Sequence, residues 1–168
     1  MNERWNLPKQ TNFVDFANMD DKKAGDCWRC CIAAVIGMPA DEVPHFLQID
    51  LDTRGTSEWK DCDRLTQEWL AERGLILARV CGYLNFDYYY GKPKPAIIKC
   101  GPTPRSRKMH QHHAVVFIGD DMVYDPHPDN TGLTAVTDQY LVMKFDQLAI
   151  KPRTEQDRDD DKFDAEMA

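Results

Sequence analysis

Residues 112 to 128 read HHAVVFIGDDMVYDPHP, two short apolar runs separated by Gly119-Asp120-Asp121. Ala114 to Ile118 and Met122 to Tyr124 are rich in β-formers and bounded by turn residues, so they predict adjacent strands in a tight hairpin. His113 enters the first strand and Asp125 leaves the second, twelve positions later. An antiparallel hairpin folds both onto one end of a sheet. Pro126 cannot continue a ladder, which sets Asp125 at a rim rather than in mid-sheet.

Working outward, Leu75 to Val80 (LILARV), Ala96 to Cys100 (AIIKC) and Tyr140 to Phe145 (YLVMKF) share this short, β-branched character. The chain before Gly74 has a different period. Residues 24 to 37, AGDCWRCCIAAVIG, predict a helix from about Cys27 to Ile36, with Asp26 as N-cap and Gly37 and Pro39 as the stop. Asp41-Glu42-Val43-Pro44-His45-Phe46 suggests a short second helical piece. A third helix is expected from Thr56 or Ser57 to near Arg73, burying Trp59, Cys62, Leu65, Trp69 and Leu70 along one stripe. Residues 1 to 24 read as irregular, with Trp5, Leu7, Phe13, Val14 and Phe16 as anchors. Helices first and strands later imply an α+β domain, N-terminal helices packed on a mainly antiparallel β-sheet.

The 168 residues fit one domain, residues 1 to 152, with 42% hydrophobic and 29% charged content. Residues 153 to 168 are expected to be a disordered acidic tail. From Glu155 onward it holds seven acids and two bases, so −5 of the net −7 sits there and −2 remains for the rest. No basic footprint for nucleic acid appears, and no apolar run is long enough to span a bilayer. The opening MNERWNLPKQTNF lacks the apolar core of a secretion signal, so a reducing cytoplasm is expected, with the six cysteines as thiols.

Cys27 opens its helix, where unpaired N–H groups and the macrodipole favour a thiolate. A nucleophilic cysteine also needs a base held by a third group, and the His113/Asp125 hairpin offers that pair. His112 competes with His113, but adjacent strand residues face opposite sides, so one alone looks toward the cysteine. His113 is preferred because it directly precedes the apolar run. Cys30 and Cys31 fall beneath Cys27 on the same helical face and read as core, as do Cys62 and Cys100, while Cys81 is uninformative. The basic loop of Arg105, Arg107, Lys108 and His110 is either solvated or a lure for an acidic substrate segment. Tyr88-Tyr89-Tyr90 reads as an aromatic loop. A different assignment of the same residues is a Cys2His2 zinc site from Cys27, Cys30, His110 and His112.

The ordered set resembles papain-like cysteine peptidases, most closely the bacteriocin-processing C39 type and similar domains of phage and bacterial genomes. The resemblance rests on Gln10-Thr11, Gly25-Asp26-Cys27 and its alanine-rich helix, Val43-Pro44-His45-Phe46, His113-Ala114-Val115-Val116, Asp125-Pro126-His127-Pro128 and Gly132-Leu133. It spans roughly residues 10 to 133. It implies a papain-like fold without a cofactor, and a thiol-dependent amide hydrolase acting on a peptide or protein substrate. Cys27 would be the nucleophile, His113 the base, Asp125 the orienter and Gln10 the oxyanion donor. Trp28, His112, Arg105 and Arg107 are the expected substrate contacts. Gln10 lies seventeen positions before Cys27, so it serves only if Asn12 to Ala24 loops out. A papain-like fold kept for binding alone is the other function the resemblance allows.

Overall fold

A computed structural model describes residues 9–11, 24–54, 61–80, 93–106 and 112–144. Within them lie three helices, α1 (Cys27–Ile36), α2 (Phe46–Arg54) and α3 (Cys62–Ala71). Five strands follow: β1 (Leu75–Arg79), β2 (Ala96–Gly101), β3 (His113–Ile118), β4 (Asp121–Tyr124) and β5 (Asp138–Lys144). The strands form one antiparallel sheet in the order β1-β5-β2-β3-β4. The protein is therefore α+β, as the change of period after Gly74 predicts.

α1 is buried almost all round, through Trp28, Cys30, Cys31, Ile32, Ala33 and Ala34, and it packs across β3, β2 and β5. Its stop is the expected one. Gly37 takes the left-handed conformation at φ 76° and returns its N–H to the Ala33 carbonyl. α3 packs on β1 and α2 on α3. One apolar cluster joins α1, Cys62 and Leu70 of α3, and the sheet face carrying Ile98, Ala114, Val116 and Tyr140. On the alternate positions Ile97 and Val115 are also fully buried, so β2 and β3 are covered on both faces.

Two expectations need correction. The second helical piece is a single 3-10 turn, Ala40–Glu42, and the true helix starts at Phe46. Pro44 disfavours helical backbone in the residue before it, and Val43 is extended at φ −91°, ψ 128°. His45 then caps the new helix, its Nδ1 accepting the N–H of Gln48 at 3.3 Å. Burial and the nearby Arg29 lower the pKa of His45, which suits this acceptor role. The third helix begins at Cys62 behind Asp61, rather than near Thr56. Its apolar stripe is as expected from Cys62 to Leu70.

Trp28, expected as a substrate contact, is only 5% exposed. Its indole N–H donates to Thr66 Oγ1 at 3.0 Å, and its ring meets Tyr140 edge-on at 5.0 Å. Trp28 thus bolts α1 to α3 and β5, because a large amphipathic ring finds both apolar contact and a polar partner there. Trp5, Leu7, Phe13, Val14, Phe16, Thr56, Ser57, Trp59, Cys81, Tyr88 to Tyr90, Arg107, Lys108, His110, Phe145 and the acidic tail lie outside the described residues. Among the described residues, no single helix is long and apolar enough to cross a membrane.

Candidate active site

The hairpin carries the site, and a one-residue irregularity in it decides which way Asp125 points. At the turn Ile118 stands opposite Asp121 and Phe117 opposite Met122, but Val116 stands opposite Tyr124. Val123 is the extra residue of a β-bulge. Carried one residue further, this register sets Asp125 against Val115, on the same side of the strand as His113. Without the bulge Asp125 would oppose Ala114 and face the other way. Gly119, at φ 64°, makes the tight turn.

The consequence is a direct bond: His113 Nε2 lies 2.7 Å from Asp125 Oδ1, and both side chains are buried. Asp125 accepts two more hydrogen bonds, from the N–H of His127 to Oδ1 at 2.8 Å and from the N–H of Gly132 to Oδ2 at 2.9 Å. Cys27 is near enough to His113 to favour the charged form of its ring. Nε2 is the ring nitrogen engaged by the carboxylate.

Electrostatics follow from these bonds. Burial opposes the imidazolium, yet the hydrogen bond to Asp125 and the nearby Cys27 prevail and push His113 from its ordinary 6.5 up to about 9. Burial also opposes charge on Asp125. The His113 bond, with the Gly132 and His127 N–H groups, still holds it below the usual carboxylate range. Burial pushes Cys30 and Cys62 up to about 12, and Cys31 and Cys100 also well up, so these thiols stay protonated.

Gln10, far away in sequence, is at the site. Its N–H donates to the Pro126 carbonyl at 2.9 Å, and the residue is only 8% exposed. Lys9 Nζ donates to the carbonyl of Asp125 at 2.6 Å, and Thr11 binds the Asp26 carboxylate. Gln10 therefore lies between the residue preceding Cys27 and the corner following Asp125.

Other expected contacts are held elsewhere. His112 is exposed, with Nδ1 3.4 Å from Thr137 Oγ1. Arg105 donates to Asp129 and Thr131, in the loop after Asp125, so it braces the site's outer wall. His127 pairs with Asp129 at 2.7 Å and sets its ring edge-on to His113, centroids 6.2 Å apart. Among the described residues no group of three or more His, Cys, Asp or Glu is arranged to hold a metal ion.

Two supporting residues escaped the sequence reading. Gly101 pairs with His113, and a Cβ there would lie 2.0 Å from the Ala135 carbonyl oxygen. Its lack of a side chain lets residues 134 to 137 close over the strand end, with Thr134 N–H on Pro102 and Thr137 N–H on Cys100. A glycine ending an apolar strand is the sequence signal for such an approach. Lys9 carried no signal beyond its position beside Gln10.

No protein-family model matches the chain, and no curated protein or solved structure matches it. The chemistry of the site rests on its own geometry.

Proposed function

We propose that the chain is a thiol-dependent amide hydrolase of papain-like type, with Cys27 as nucleophile, His113 as acid–base group and Asp125 as the group that orients it. The observation that carries this reading is the buried His113–Asp125 bond, with Cys27 near enough to favour the charged ring. Cys27 attacks an amide carbonyl, and the developing oxyanion meets the Cys27 N–H, free at the start of a helix, and the Gln10 side-chain amide. His113, protonated at neutral pH, hands its proton to the departing amine. It then takes one from the water that opens the thioester. Asp125 keeps the ring in one orientation and balances the imidazolium.

A cysteine-reactive amide probe tests the proposal on the whole protein. Labelling is expected at Cys27 and should disappear in His113→Ala. Equal labelling of all cysteines, or unchanged labelling of the variant, refutes the hydrolase and favours a fold kept only for binding.

A further inference from the structure

Asp26 occupies the N-cap position of α1, yet its side chain makes no capping bond. The carboxylate is 1% exposed, in a place where capping is the ordinary way to repay burial. It is engaged elsewhere. Asp26 Oδ2 accepts the backbone N–H of Thr11 at 3.4 Å, the Thr11 hydroxyl at 3.3 Å and the Arg29 guanidinium at 3.2 Å.

The opposite end of the same tripeptide is tied down as well. Lys9 Nζ reaches the Asp125 carbonyl and Asn130 Oδ1, each at 2.6 Å, and the Gln10 N–H reaches the Pro126 carbonyl at 2.9 Å. Three consecutive residues thus span the site, from the residue before the thiol to the corner behind the imidazole. Gln10 is the middle one.

We infer that Asp26 is a positioning residue, whose carboxylate acts through Thr11 to fix Gln10 beside Cys27. The inference rests on the reading of Gln10 as oxyanion donor given above. It explains why a carboxylate stands here rather than a serine: one group must hold two donors of Thr11 and balance a guanidinium. It also explains how a glutamine so far upstream is held in register with the thiol.

Two readouts on the full chain separate anchoring from chemistry. Limited trypsin cleavage at the Lys9–Gln10 bond, followed by mass spectrometry, reads the anchor. Asp26→Ala should be cut there about tenfold faster than wild type. Equal rates overturn the tether. Chemistry is read with a small peptide aldehyde, to which the Cys27 sulfur adds. The carbonyl π pair moves to oxygen and takes the thiol proton, so the new hydroxyl occupies the oxyanion position. Iodoacetamide serves as control, since sulfur displaces iodide and no oxyanion forms.

Asp26→Asn should weaken the aldehyde on the order of tenfold and leave alkylation within about twofold. Thr11→Ala, which spares the Asp26–Arg29 pair, should act in the same direction. In a Gln10→Ala background Asp26→Asn should add nothing, because both changes then remove one interaction. An undiminished Asp26 effect in that background, or an equal slowing of alkylation, overturns the positioning role. A wild type that binds no aldehyde while the Lys9–Gln10 bond stays protected instead overturns the hydrolase reading. The anchor then survives as structure without a catalytic use.

Discussion

His113 and Asp125 are oppositely charged partners in a dry place, and each shift has a sign that experiment can read. The imidazole is raised, so its contribution to stability is complete below 6.5 and is lost as pH rises through about 9. The carboxylate is lowered, so its contribution is present above 3.8 and fades as pH falls through the lower folded value. The pair should stabilise most between these limits. Asp125→Asn should bring the His113 titration, followed by imidazole NMR, down by at least about one unit. It should also flatten the fall in urea midpoint between about pH 6.5 and about pH 9. An unchanged titration would mean that burial alone sets the state of the ring. The His113–Asp125 pair was legible at this scale, because a hairpin of twelve residues brings its two ends together. The Asp26 tether was not, because capping and tethering use the same side chain at the same position.

The elements place these residues through small backbone decisions. The β4 bulge turns Asp125 to the side of His113, and Gly101 lets the 134–137 segment close against the strand that pairs with β3. Gly101→Ala drives a methyl into a backbone carbonyl that cannot rotate away. It should cost about 2 kcal/mol or more, measured by chemical denaturation, and should loosen the His113–Asp125 end of the sheet. A stability within about 0.5 kcal/mol of wild type would show that the segment moves aside freely. The strands were readable because turn residues bracket each apolar run. α2 was misread because Pro44 looks like part of a helical piece, whereas it ends one turn and delays the next helix.

Across the whole molecule, core and site are built from neighbouring residues of one helix, and substitution should separate them. Trp28→Phe keeps the ring against Tyr140 but removes the N–H that Thr66 accepts. It should lower stability by about 1 kcal/mol while Cys27 still reacts with the amide probe. Cys27→Ala should do the reverse, abolishing the reaction and shifting the melting temperature by no more than a few degrees, about 1 kcal/mol. A large loss of stability in Cys27→Ala would mark the thiol as a core atom first. No measurable loss in Trp28→Phe would remove Trp28 as the bolt between the layers.

Period and punctuation along the chain determined the helices-then-strands order, the antiparallel hairpin and the residue types able to form a nucleophile, base and orienter. These are local properties, carried by spacing within a dozen residues. Tertiary structure alone decided that Trp28 turns inward, that Asp26 tethers instead of capping, and that Gln10 arrives between Asp26 and Pro126. Each of those outcomes depends on partners tens of residues away, and burial makes a polar group take whichever partner the fold brings to it.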